Sequence, residues 1–240
     1  MPETAPREAT LLGESVSYEI RRSSEATKPR IDVDIKGVRV TVPDDSGVNP
    51  ETVLAENAAW VIEKKRKYED YRDQVPNREF TAGETFPFHG EPHEVVIERR
   101  STSEVEAGEF RLAKHHVEQT SVQRALETLY RRKAREYFET QADEFAQEMS
   151  VKYERIEVRN QRTKWGSCST SGTLSLNWRL MMAPTSVIDS IVIHELAHLR
   201  EQNHTDAFWS IVAEHDPDYE DHHYWLEEHS AQLVFSDEDL

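Results

Sequence analysis

The chain has a single cysteine, Cys168, in 240 residues. That excludes an intramolecular disulfide and any zinc finger built on two or more thiolates, and it suits a reducing compartment. Glycine and proline are sparse, at 8 and 10 residues, while 37 % of the chain is apolar and 9 % aromatic. The chain can therefore bury a core rather than stay disordered. No apolar run approaches a membrane span, and the stretch from Met1 to Ser17 lacks the apolar segment of a secretory signal. A cytoplasmic protein without membrane association is expected. Basic residues are outnumbered, 29 against 46 acidic, for a net charge of −17. Such a balance repels nucleic-acid phosphates unless a local patch overrides it. It also matches the acid-rich, lysine-poor surface of a protein from a high-salt cytoplasm, where salt screens self-repulsion.

Residues 1–16 read as a flexible leader. Ile31, Val33 and Ile35 alternate with polar residues, as do Val38, Val40 and Val42 beyond Lys36-Gly37, which predicts a hairpin. Asn49 and Pro50 suit the cap and first position of a helix carrying Leu54, Ala58 and Val61. A second β stretch runs from Glu84 to Phe110 around Val95-Val96-Ile97, with a loop over 101–108. A long amphipathic helix spans Ser121 to Met149, with Val122, Leu126, Leu129, Ala134, Tyr137, Phe138, Phe145 and Met149 on its buried face. Strands are expected at 155–159 and 173–180, then a helix opened by Pro184-Thr185, a helix capped by Thr205 or Asp206, and a last helix from Asp216-Pro217 to about Gln232. The acidic tail, 236–240, should fray. The fold class is α+β: an active-site helix and a long backing helix on a small sheet, preceded by a β-rich region. The division falls near residue 115, giving 17–115 and 116–235.

Within the helix after Pro184 stands His194-Glu195-Leu196-Ala197-His198. Two histidines four residues apart share one helix face, so both imidazoles can reach one metal ion, and the glutamate between them can touch a water on that ion. A catalytic zinc site uses three protein ligands and leaves a position open. The third is best assigned to His204. In a continuous helix it would point about 240° away from the other two, so the helix must end after about Arg200. A reversal over 201–204 must then bring His204 back, and Gln202-Asn203 is where it can happen, since asparagine tolerates the left-handed conformation that ends helices. A helix running straight through Asn203 would leave Glu220, Glu227 or Glu228 as alternatives.

Lys164-Trp165-Gly166-Ser167-Cys168-Ser169, Leu174 to Leu180, Ala183-Pro184, His194 to Leu199, Asn203-His204 and Phe208-Trp209 together closely resemble the YgjP-like metallopeptidase family. The resemblance spans about 115–230, with weaker motifs before it. It implies a zincin-like peptidase with zinc on His194, His198 and His204 and Glu195 as catalyst, acting on peptide or protein substrates. It also implies kinship with SprT and WLM proteases, some of which cleave proteins crosslinked to DNA. Glu201 stands where metzincins carry glycine and no methionine follows His204, which disfavours a metzincin.

The strand over 173–180 is expected to border the cleft and pair with an extended substrate, with Asn177 and Arg179 facing it. Trp165 and Trp178 read as packing residues. Cys168 reads as a small buried residue, with a reactive thiol or an inhibitory zinc ligand as alternatives. His215, His222, His223 and His229 read as surface or supporting residues, and Tyr219 and Tyr224 as candidate oxyanion donors. The reading is a zinc-dependent metallopeptidase that uses a metal-activated water with Glu195 as general base. The alternative is a nucleic-acid-associated adaptor, or a protease of DNA-bound proteins, with a mainly structural zinc. Lys64-Lys65-Arg66-Lys67 and Arg131 to Arg135 would then touch phosphate.

Overall fold

The computed structural model describes residues 6–44 and 46–239. The chain forms two compact units, one through Val75 and the other Pro76–Asp239.

In the first unit, β1 (Arg7–Leu11), β2 (Glu14–Ser23), β3 (Arg30–Asp34) and β4 (Gly37–Pro43) form one sheet in the order β1-β2-β4-β3. The β2–β4 pair is parallel and the other two pairs are antiparallel. Val16, Tyr18, Val38, Val40 and Val42 alternate onto one face and are buried. Helices α1 (Pro50–Glu56) and α2 (Ala58–Asp73) supply Leu54, Ala58, Val61 and Ile62 to the same cluster. Asn49 caps α1 as its sequence indicates, its Oδ1 accepting from Glu51 N at 2.9 Å. One helix was expected here; Asn57 divides it, donating its side-chain amide to Val53 O at 2.8 Å with its own backbone outside the helical region. The expected hairpin is β3–β4. The expected leader differs: its residues 7–11 are a strand, turned into β2 by Leu12 and Gly13, both at positive φ, with Leu11 only 2 % exposed. Sheet pairing and one buried leucine hold a segment whose composition is otherwise polar. The part of that leader over 1–5 lies outside the described residues.

In the second unit, β5 (Thr85–Phe88), β6 (Glu91–Glu98), β7 (Glu104–Glu106) and β8 (Glu109–Ala113) form a sheet ordered β5-β6-β8-β7. The short strand β7 falls inside the stretch expected to be a loop. Next come α3 (Lys114–Gln119) and α4 (Val122–Glu148), the latter capped by Ser121 Oγ, which accepts from Arg124 N at 3.1 Å. A second sheet, β10-β11-β9, joins β9 (Arg155–Arg159), β10 (Gly166–Cys168) and β11 (Thr173–Asn177). After a 3-10 turn at Trp178–Met182 come α5 (Thr185–Ala197), α6 (Asp206–His215) and α7 (Tyr219–His229). The strand expected to reach Leu180 stops at Asn177, whose Oδ1 accepts from Arg179 N at 3.1 Å and starts that turn.

The division lies at Val75–Pro76, not near 115. Phe86, Val95, Phe110 and Leu112 of the first of these sheets share one core with Leu126, Tyr130 and Phe138 of α4, with Trp178 and with α5. Amphipathic strands next to an amphipathic helix belong to whichever core their apolar faces complete. The acidic tail does not fray through Asp239: Asp237–Asp239 is a 3-10 turn, and the buried Asp239 carboxylate accepts from Asn160 Nδ2 at 2.7 Å and from the amides of Phe235 and Ser236. Arg131, Arg132, Lys133 and Arg135 each face a carboxylate of Glu127, Glu104, Glu136 or Glu139. Among the described residues, no helix is long and apolar enough to cross a membrane.

Candidate metal centre

Helix α5 is buried through Val187, Ile188, Val192, Ile193, Leu196 and Ala197, so its polar C-terminal turn has one orientation. His194 lies in that turn, and His198 caps it with its backbone still in the right-handed helical region (φ −62°, ψ −18°). Both rings therefore project from one face. The chain leaves the helix earlier than its sequence suggests: the amides of Leu199 and Arg200 close tight bonds to Leu196 O and Ala197 O, both at 3.0 Å. Neither Gln202 nor Asn203 is among the residues of positive φ. The reversal is made without a left-handed residue there, by a side-chain device in which Glu201 Oε1 accepts from Asn203 N at 3.2 Å. Thr205 N then bonds Asn203 O at 2.7 Å, and Thr205 Oγ1 caps α6 through Phe208 N. The reversal places His204 opposite the two helical histidines.

The ligating atoms of His194, His198 and His204 all lie within 4.8 Å of one another, and the Nε2 atoms of His194 and His204 are 3.1 Å apart. Among the described residues this is the one His, Cys, Asp or Glu grouping able to hold a metal ion. Glu220, Glu227 and Glu228, on the exposed side of α7, are not part of it. Burial, then His198 and His204, push the His194 imidazolium down to about 3. Burial also lowers His198, opposed by its bond to the Glu201 backbone. Neutral imidazole is the ligating form. His198 Nδ1 donates to Glu201 O at 3.3 Å, which leaves Nε2 as the free lone pair. Phe208, fully buried, lies under all three rings, with centroids 4.9, 4.5 and 4.8 Å from His194, His198 and His204. Trp209 flanks His194 and His204, and Tyr219 stacks on Trp209 at 5.2 Å.

Glu195 is 5 % exposed, and its Oε2 is buried without a hydrogen-bond partner. Desolvation pushes its carboxyl up to about 8, against the pull of Lys164. Gly166 of β10 lies against this carboxylate: a Cβ there would meet Oε1 at 2.4 Å. A partnerless carboxylate is costly to bury, and beside three imidazole nitrogen donors it fits a divalent cation with an open coordination position. The residues present therefore suit a zinc-type ion.

The structure separates Asn177 and Arg179 from this site. Asn177 is 0 % and Arg179 3 % exposed. Asn177 Nδ2 and Arg179 Nη2 both donate to Gln161 O, at 2.7 and 2.8 Å, and the Arg179 guanidinium lies over the Trp165 ring. They hold the loop before β10 and do not face a cleft. Their strand β11 is interior, paired with β9 on one side and β10 on the other, so it has no edge to offer a substrate. The free edge beside Glu195 belongs to β10, three residues without apolar alternation that sequence reasoning missed. The pairs Trp165–Asn177 and Ser169–Thr173 are hydrogen-bonded. Antiparallel alternation then turns the Ser167 amide and carbonyl toward β11 and those of Gly166 and Cys168 away from it.

Cys168 is half-buried, its thiol pushed up to about 11 by burial and by Glu195, and it donates to Ser169 O at 3.4 Å. His222 pairs with the buried Asp216 at 3.0 Å, His223 faces Glu227, and His229 bonds Trp225 O. Tyr224 is 61 % exposed.

A family model described as "YgjP-like, metallopeptidase domain" matches residues 27–229. Among solved structures, the chain resembles the metallopeptidase zymogen abylysin of Pyrococcus abyssi, at 21 % identity and a TM-score of 0.34, over 40 % of this chain and 99 % of that one. No curated protein matches the chain.

Proposed function

This chain belongs to the YgjP-like metallopeptidase family, and from that premise we propose that it is a zinc-dependent peptidase in which His194, His198 and His204 hold the ion and Glu195 is the general base. The observation that carries the proposal is the convergence of three imidazoles beside a buried carboxylate oxygen with no partner. Zinc, when bound, supplies the positive charge that polarises a scissile carbonyl and acidifies water. A neighbouring cation favours the ionised form of Glu195 and offsets the burial that otherwise keeps it protonated. As a carboxylate, Glu195 accepts the proton of the attacking water. Protonated, it can return that proton to the leaving amine nitrogen. Gly166, lacking a side chain, leaves the room the carboxylate occupies, and Phe208 and the Glu201 carbonyl fix the orientation of the imidazoles. An extended substrate pairs with the free edge of β10 through the backbone groups of Gly166 and Cys168, which brings a peptide bond alongside Glu195.

The test pairs metal analysis with peptide hydrolysis, at low and high salt, in wild type and Glu195→Gln. Both proteins are expected to hold one zinc, and the variant to lose about 10²–10⁴-fold in kcat. Hydrolysis at wild-type rate by zinc-loaded Glu195→Gln would remove the base assignment. A zinc-free wild type that still cleaves would remove the metal.

A further inference from the structure

The first unit contains a feature that peptide hydrolysis does not use. On the face of its sheet opposite the apolar core, β2, β4 and β3 bring Arg21, Thr41 and Arg30 into one cross-strand row: Arg21 is level with Thr41 in the parallel pair, and Thr41 is level with Arg30 in the antiparallel one. Residues directly opposite each other share a face. The segment between β2 and β3 adds Lys28 and borders a half-open concavity of about 590 Å³, lined also by Ser23 and Glu25. Thr41, on the polar face, is only 8 % exposed. It forms the floor, and the charged side chains stand around it.

The charge of this cleft opposes that of the chain. The molecule carries −17, yet the cleft is lined by Arg21, Lys28 and Arg30 against Glu25, and of the three cations only Arg30 is shared with a carboxylate, that of Asp32. The next row of the same face, Glu19, Arg39 and Asp32, is neutralised within the sheet, Arg39 holding Glu19 at 3.2 Å and Asp32 holding Arg30 at 3.0 Å. Among the described residues, Arg21 and Lys28 have no such carboxylate partner, although acids are abundant. Ser23 Oγ already accepts from Glu25 N at 3.3 Å, so its proton is left to donate outward. Two cations without a carboxylate, Arg21 and Lys28, and the exposed, ion-paired Arg30, set around hydroxyl donors in a depression, are the composition of an oxyanion site.

We propose that this cleft binds a small polyphosphate, an anion of two or three linked phosphates. The span favours it over a single phosphate. Arg21 and Arg30 stand two strand spacings apart, about 9–10 Å at their backbones, and Lys28 lines the same cleft. Arg21 and Lys28 thus meet separate phosphates of a short chain, Arg30 reaches it through the Nη1 that its pair with Asp32 leaves over, and the Thr41 and Ser23 hydroxyls bond the oxygens between them.

The full-length protein is titrated calorimetrically with sodium tripolyphosphate, pyrophosphate and orthophosphate at low salt, then again at higher salt. Expected is saturable one-to-one binding, with tripolyphosphate at least about tenfold tighter than orthophosphate, weakening as salt rises. Arg21→Gln and Lys28→Ala should each weaken it by about tenfold, and Lys67→Ala, on the exposed side of α2, should leave it unchanged. Both cleft side chains are exposed, so unchanged circular dichroism and Tm should certify the variants. Absence of saturable binding overturns the proposal. Binding that survives the Arg21→Gln, Lys28→Ala double variant also overturns it, because the anion then sits elsewhere, the metal centre included. Orthophosphate binding as tightly as tripolyphosphate overturns the ligand class.

Discussion

A methyl group on Gly166 would lie 2.4 Å from Glu195 Oε1 and 2.8 Å from its Cδ. β10 is anchored to β11 by backbone bonds, so the carboxylate is the partner that must yield. A displacement of about 1 Å at a reacting group costs on the order of a hundredfold in rate. Gly166→Ala is therefore expected to keep its zinc and lose about a hundredfold in kcat, as measured by metal content and single-turnover hydrolysis on the same sample. A variant with wild-type kcat would show that Glu195 has more room than the geometry allows. Phe208 tests the other half of the site. Its flat ring touches all three imidazoles, and Phe208→Leu keeps most of the buried volume while removing that surface. Groups that orient metal ligands are worth about 10–100-fold in affinity. The expected result is zinc binding weakened by about tenfold in chelator competition; unchanged affinity would make Phe208 a packing residue alone.

At the scale of elements, α5 must present its histidines while carrying a charged group on its inner side. Asp189 Oδ1 accepts from Tyr137 Oη at 2.8 Å, and burial first, then Glu144 and Asp216, hold its carboxyl above the usual range, against Tyr137 and His222. The native state thus keeps this proton to higher pH than the unfolded chain does. Its contribution favours folding at low pH and is lost as pH rises through the folded value, so at neutral pH the ionised group opposes folding. Asp189→Asn keeps an acceptor for Tyr137 and removes that charge. For a half-exposed group, a gain of up to about 1 kcal/mol at pH 7 is expected, shrinking toward pH 4, read from urea midpoints at the two pH values. A lower midpoint at pH 7 would contradict it. The elements legible in the sequence were those whose signal is local and repeated: the periodicity of α4, the caps Asn49 and Thr205, and the β3–β4 alternation. The spacing of His194 and His198 is equally local. What escaped depended on distant partners. β10 is three residues defined by β11 and by Glu195, β1 is a polar segment defined by β2, and the burial of Asn177 and Arg179 follows from the Gln161 carbonyl they share. No pattern within a strand reveals that it will be interior rather than at an edge.

At the scale of the molecule, charge is unevenly divided. Residues 1–75 hold 15 acidic against 12 basic residues, and residues 76–240 hold 31 against 17, so the unit with the three-histidine cluster carries −14 of the total −17. Salt acts on this in two directions. It weakens the ion pairs of α4, which are exposed pairs worth about 0–1 kcal/mol each, and it screens repulsion among the unpaired acids. The excess of carboxylates is concentrated from Asp189 to Asp239, where 14 acids accompany one arginine, Arg200, and no lysine. Few attractive pairs are there to lose, so screening of repulsion wins. The Debye length falls from about 10 Å at 0.1 M to about 3 Å at 1 M, which brings it below the spacing of most surface carboxylates. Tm is therefore expected to rise between 0.1 and 1 M KCl, by several degrees for about 1 kcal/mol gained. Sucrose at matched osmolality separates screening from exclusion of cosolute. A Tm that is flat or falling in KCl, or that rises equally in sucrose, would mean that the acidic surface is tolerated in dilute solution and is not an adaptation to salt.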